Sequence, residues 1–238
     1  MYKFIYYFMI FLIYSFIGYL CEITTVSLVN KKVILSRGYL IGPIIPIFGF
    51  GGLIITIFLK QYITNPMTTF ILGMFYCCLL EYTTSYIMEK IYGLRWWDYS
   101  DKKFNINGRI CLETGVLFGI GSLLIINIFN PIIFMILNKI PRLVLIIVGI
   151  ILLVVVLLDF TISTKETIKL KIDTKKYTNK DATKEIREQV LNSIKKHRLF
   201  YTRILNAFPN MNADDHRMEK VNNALNKIKE LRRKSNEK

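Results

Sequence analysis

The sequence predicts an all-α, polytopic membrane fold with five transmembrane helices and a C-terminal cytoplasmic helical tail. Three observations carry that expectation. Five apolar runs of about 20 residues match a hydrocarbon core roughly 30 Å thick at about 1.5 Å of rise per residue. The basic residues between those runs fall unevenly on the two sides that five crossings define. The last third of the 238 residues is polar and basic while the rest is apolar, so the mean hydropathy of +0.37 averages two unlike parts. The expected division is residues 1–163 as a five-helix transmembrane domain and residues 164–238 as a basic amphipathic cytoplasmic tail.

The first run, Phe4 to Val29, is too long for a cleaved signal segment, has only Lys3 in front and lacks a small-residue cleavage site. It is expected to be a retained first helix, with Gly18 and the ionisable Glu22 inside it. Helix two is expected over Tyr39 to Leu59. Its opening contains Gly42, Pro43, Pro46, Gly49, Gly51 and Gly52. Two prolines remove two backbone donors and the glycines weaken helicity, so this entry is kinked or partly unwound. Either close packing through small residues or a cavity-lining break accounts for the pattern. Helix three covers Thr68 to Met88 with Glu81. Helix four starts near Ile110 and ends between Phe129 and Leu137, a boundary blurred by Asn127, Asn130 and Pro131. Helix five covers Leu143 to Ser163 with Asp159 near its end.

Charge sets the expected orientation. Lys31, Lys32 and Arg37 lie between helices one and two, and Lys90, Arg95, Lys102, Lys103 and Arg109 between helices three and four. The opposite side has Lys3, Lys60, Lys139 and Arg142. The positive-inside rule then puts both loops and the tail in the cytoplasm of a bacterial cell and the N-terminus outside the cytoplasmic membrane. Topology thereby accounts for the net charge of +15, and a nucleic-acid partner is not expected. In the tail, Ile186, Val190, Ile194, Tyr201, Ile204 and Phe208, and after Pro209-Asn210 the set Met218, Val221, Leu225, Ile228 and Leu231, recur at near-helical steps. Two amphipathic helices are expected there, to self-associate, bind a partner or lie on anionic lipid.

The chemistry available is carboxylate chemistry near the cytoplasmic ends of the helices. Glu22, Glu81, Glu113 and Asp159 each fall a few residues inside such an end, in one expected layer on the order of 5–10 Å deep. Unpaired acids are costly in hydrocarbon, so they face the bundle interior or find cations. Arg37 and Arg109 are the expected partners, with Arg109 four residues before Glu113. These six residues make either a structural ion-pair network or a polar vestibule for a cationic solute or protons. A hard divalent cation is chemically reasonable on such oxygens, but no ligand spacing supports one, and neither metal nor cofactor is expected. Cys21, Cys77, Cys78 and Cys111 lie in or beside apolar runs without paired ligand spacing and read as apolar filler.

The run from Arg95 to Arg109 holds both tryptophans of the chain, Trp96 and Trp97, followed by Asp98 and Tyr99, and a turn-forming Asn105-Ile106-Asn107-Gly108. The aromatics suit either an interfacial belt or a lid or docking loop over the acidic layer. No Walker A, GxSxG or HExxH pattern occurs, and His197 and His216 both fall in the tail, so an enzyme is not expected.

Taken together, the run Arg37-Gly38-Tyr39-Leu40-Ile41-Gly42-Pro43 with Pro46 to Gly51, Glu81, Arg95 to Ser100, and Phe104 to Leu112 resembles a bacterial family, the putative ABC-transporter permeases, also called CmpB-like or putative ABC-transporter type IV. The resemblance covers roughly residues 5–160. Ser36 stands where Asn is expected, Phe48 where Tyr is frequent, and Lys102-Lys103 are unusually basic. The resemblance implies a membrane permease subunit working with a separate ATPase that the cytoplasmic loops contact. Five helices make a small path alone, so a homo-oligomer is expected. The competing expectation is a non-transporting scaffold or regulator acting through the tail.

Overall fold

The computed structural model describes residues 1–31, 33–35, 37–178, 193 and 197–208. Helix α1 spans Tyr2–Asn30 and ends at Lys31, whose positive φ of 51° closes it. Helix α2 is Pro46–Phe58. Helix α3 is Pro66–Tyr92; Asn65 caps its start by accepting the Thr68 N–H at 3.1 Å, and Gly93 with φ 66° ends it. Helices α4, Leu112–Leu124, and α5, Asn130–Lys139, are joined by a π-helical turn, Ile125–Phe129. Helix α6 runs Arg142–Thr178, and α7 is Arg198–Ala207. The described residues are helical apart from loops and one isolated bridge, Ile106 to Ile110.

Four segments are long and apolar enough to cross a membrane by length and composition: Tyr2–Val29, Pro66–Tyr92, Leu112–Lys139 and Arg142–Asp173. The expected second helix differs. Residues 38–45 are not helical, and the helix begins only at Pro46, leaving 13 residues or roughly 20 Å. The physical reason is local. Pro43 and Pro46 cannot donate, Gly38 adopts φ 82°, and the Ile45 N–H donates to the Ser15 carbonyl of α1 at 3.0 Å instead of entering a helix. The chain therefore turns back along α1 to the level of Ser15 before α2 starts.

From there α2 packs flush against α1 through glycines. A Cβ on Gly49 would lie 2.6 Å from the Phe11 ring, one on Gly52 2.3 Å from that of Tyr14, and one on Gly18 2.2 Å from Phe48. The small-residue reading of this stretch holds here, and the broken-helix reading holds for residues 38–45. Tyr14 in turn donates to Asn130 Oδ1 at 2.7 Å, and Thr56 donates to the same atom at 2.9 Å. Asn130 and Pro131 do not end helix four. Pro131 deprives the ladder of a donor, the Asn130 N–H reaches five residues back to Ile125, and the helix continues to Lys139.

Helix α6 also outruns the expected stop at Ser163. It reaches Thr178, about 55 Å in all, so its last turns stand clear of a hydrocarbon layer roughly 30 Å thick. Of the expected tail helices, the Tyr201–Ile204 part exists as α7. Ile186, Val190, Ile194 and everything from Pro209 onward, including Met218 to Leu231, lie outside the described residues, as do Lys32 and Ser36.

The glycine seam yields a contrast. Gly52→Ala forces Tyr14 away from Asn130 and is expected to cost about 1–3 kcal/mol, as overpacking does. Gly121, whose Cβ would meet nothing within 4 Å, accepts alanine with a gain of up to about 1 kcal/mol. Thermal unfolding of the two variants in detergent, read against the parent chain, measures the difference.

Candidate functional site

The site is built on one face of α3 and the loop that folds over it. Glu81, Ser85 and Glu89 recur every fourth residue and are all buried. After Gly93 the loop turns back. Arg95 Nε reaches Glu89 Oε2 at 3.4 Å, and Asp98 Oδ1 accepts from the Ser100 N–H at 3.0 Å and its hydroxyl at 2.6 Å. The Tyr99 N–H donates to the Gly108 carbonyl at 2.7 Å, and Trp97 Nε1 donates to the Arg109 carbonyl at 3.1 Å. Asn105 donates to Ser100 O and Lys102 O and accepts from the Gly108 N–H. Gly108 is required twice over: φ is 65°, and a Cβ would sit 2.5 Å from both Asp98 Oδ1 and Ser100 Oγ.

Three contacts pin this folded loop to α3. Tyr99 Oη donates to Glu81 Oε1 at 3.1 Å, Asn107 Nδ2 donates to Tyr82 Oη at 2.9 Å, and Arg109 reaches Ser85 Oγ at 3.0 Å and Glu89 Oε2 at 2.6 Å. The Arg109 guanidinium also lies over the rings of Tyr82 and Tyr86. Burial, reinforced by the Glu81 charge, pushes the Tyr99 phenol well up, so it stays protonated and serves as a donor.

Beside the loop lies the non-helical segment. The Asp159 carboxylate accepts from the Ile41 N–H at 2.9 Å and the Gly42 N–H at 2.7 Å, and its Oδ1 also accepts from Ser163. Arg203 of α7 donates to the carbonyls of Gly38 and Tyr39 at 3.4 Å each. Burial lowers the Arg203 pKa, and the nearby Asp159 charge opposes the shift. Arg37 lies 3.7 Å from Glu22 Oε1 and donates to the Ala207 carbonyl at the end of α7. Helix α7 is held further by His197, whose ring nitrogens meet Glu166 and Lys169 at 2.7 Å each, and by Tyr201, which donates to Asp173 at 2.9 Å.

The expected pairings can now be placed. Arg37 does meet Glu22. Arg109 does not meet Glu113 or Glu81; it meets Glu89, which the sequence reading left in the loop because helix three was ended at Met88. Glu113 instead pairs with Lys102 at 2.9 Å on the exposed side, where the hydrogen bond raises the lysine pKa and solvent screens the pair. Glu81 bonds the Tyr99 phenol directly, and the charge of Glu22 adds to the upward push on that phenol. Asp159 is answered by backbone amides at Gly42 rather than by an arginine. Trp96 is not an interfacial anchor: only 1% of it is exposed, and it sits edge-on to Tyr39, Tyr92 and Phe208, with α7 covering it. Ser85, Glu89 and Arg203 were given no role, and Asn130 was read only as blurring the end of helix four. The four-residue spacing from Glu81 to Glu89 was the available signal for two of them.

Four segments long and apolar enough to cross a membrane, with a folded loop over buried carboxylates, fit a membrane-embedded protein. The chain belongs to the family described as Putative ABC-transporter type IV, which matches residues 9–164. No curated protein and no solved structure matches it.

Arg109 is the strongest of the pins. Arg109→Ala leaves Glu89 with Arg95 at 3.4 Å and removes its closer partner, and its expected cost sits at the lower end of the roughly 3–5 kcal/mol for breaking a buried pair. Lys102→Ala leaves thermal stability unchanged. Limited proteolysis of the 94–111 loop in the two variants checks this, with faster cleavage expected for Arg109→Ala alone.

Proposed function

We propose that the chain is the permease-like, non-enzymatic membrane subunit of a transport complex, with both basic loops and α7 on the cytoplasmic side and the N-terminus outside. The observation that carries this reading is the broken second helix beside the partly buried Asp159. Non-helical backbone at membrane depth is tolerated where protein buries it or where it lines a path, and transporters place their sites at such breaks. Here the break at Gly42, Pro43 and Pro46 lies next to Asp159, with Glu22, Arg37, Glu81 and Tyr99 at the same end of the bundle. The extended 38–45 segment and α2 together complete a fifth crossing. Family membership supports the transporter class and an ATPase partner. The acids and arginines form the cytoplasm-facing polar vestibule, and the pinned loop is its lid.

The outer surface of that lid is the proposed ATPase contact. Phe104, with φ 53° and 79% exposed, and Ile106 project beside Lys102 and Lys103. Purification of the chain from native membrane is expected to bring down an ATPase, and Phe104→Asp with Ile106→Asp is expected to reduce its recovery at least about tenfold, near 1.4 kcal/mol. Recovery unchanged by both substitutions would remove the loop from the contact.

The docking of α7 across the loop favours a second reading, a scaffold or regulator that works through its tail. Removing residues 179–238 separates the two, because the permease reading keeps the ATPase bound and the scaffold reading loses its partner.

A further inference from the structure

We propose that Glu81 is an exchangeable proton site of the membrane domain, with Tyr99 of the loop holding one carboxyl oxygen and leaving the other for the proton. This deepens the permease reading by naming the ion that its vestibule takes.

The argument begins with how the other acids of this end are answered. Glu22 has Arg37, Glu89 has Arg95 and Arg109, Glu113 has Lys102, and Asp159 has two backbone amides. Among the described residues Glu81 has no cation. Its Oε1 accepts from Tyr99, and its Oε2 is fully buried without a hydrogen-bond partner. The residue is 7% exposed and lies on the order of 16 Å along the axis from the Tyr92 end of α3. A carboxylate in that setting is costly, whereas the neutral acid is not. A side chain meant only to fill the space needs no carboxyl, and one meant only to bind Tyr99 needs one oxygen.

The surroundings fit a proton better than a metal ion. The titratable groups around this site are Tyr99 of the loop, which bonds Glu81 directly and also feels Glu22 of α1 and Cys111 just before α4, and Cys77 and Cys78 on α3 itself. Helix α2 approaches with Gly51 beside Cys77 and carries no charged residue, and α4 approaches with Gly115 beside Cys78, its Glu113 being paired with Lys102. No group of three His, Cys, Asp or Glu among the described residues is arranged to hold a metal. Tyr99 links the site to the loop. Its hydroxyl donates to the carboxylate and favours the charged form, and a loop that lifts away removes that bond and at the same time admits water to the carboxyl. Loop position and proton occupancy are thereby linked.

Dicyclohexylcarbodiimide tests this on the full chain in lipid vesicles. A protonated carboxyl adds across the reagent's N=C bond, and the O-acylisourea rearranges to an N-acylurea that mass spectrometry locates. The expected result is a label on Glu81 that falls about tenfold per pH unit above its midpoint and is absent in Glu81→Gln. Infrared difference spectra between the parent and Glu81→Gln read the same carboxyl without needing the reagent to reach it. The expected carboxylic C=O band vanishes as pH rises, at a midpoint that moves upward in Tyr99→Phe. A band that is missing at every pH, one that persists at every pH, or a midpoint unmoved by Tyr99→Phe overturns the proposal. Neither readout requires an ATPase or transport, so the site and the permease reading fail separately.

Discussion

The structure turns on satisfying the bare backbone of residues 38–45. That segment lies along α1 to the level of Ser15, about midway along that helix. Unpaired amides there are penalised by several kcal/mol each in hydrocarbon. Three elements answer. Ser15 of α1 takes the Ile45 N–H, Asp159 of α6 takes those of Ile41 and Gly42, and Arg203 of α7 supplies the carbonyls of Gly38 and Tyr39. The Tyr39 hydroxyl bonds Tyr92 of α3 and Thr164 of α6, and its ring meets Trp96 of the loop. One irregular stretch thus ties together α1, α3, α6, α7 and the loop.

Much of this was legible in the sequence, and what was not has physical reasons. Long apolar runs mark spanning helices because bilayer thickness fixes their length, so α1, α3, α4 with α5, and α6 were all foreseen. Pro43 and Pro46 announced the break. The depth of the break was not foreseen, because it depends on a hydrogen bond to Ser15 that no periodicity encodes. Asp159 was expected to face the bundle interior or find a cation; it accepts backbone amides instead, and a pattern of charges does not reveal peptide donors. Asn130 blurred the end of helix four for a similar reason. Its side-chain oxygen accepts from Tyr14 and Thr56, more than 70 residues away in sequence.

The loop shows a related limit. Its turn chemistry was evident in Asn105, Asn107 and Gly108, and each does adopt or support the turn. The two tryptophans, by contrast, divide their work. Trp97 closes the loop on itself through the Arg109 carbonyl, while Trp96 joins a core with Leu170, Tyr201 and Ile204. That core exists because α7 returns to cover it. An amphipathic stretch in a tail shows that a face will be buried, not against what, and the headgroup region was the nearer guess for an indole beside a membrane.

The two ends of the bundle are built to different standards. At the Met1 end, Tyr14, Thr56 and Asn130 satisfy one another behind a glycine seam, and Arg142 stacks over Tyr2. Nothing there requires α1, α2 and α5 to separate. At the loop end, the contacts that bind the loop to α3 are two arginines, a tyrosine and an asparagine reaching across from a segment without helix of its own. On the permease reading, the part that moves is the Arg95–Arg109 loop while the helices beneath keep their seams, and the group it uncovers is the Glu81 carboxyl under Tyr99.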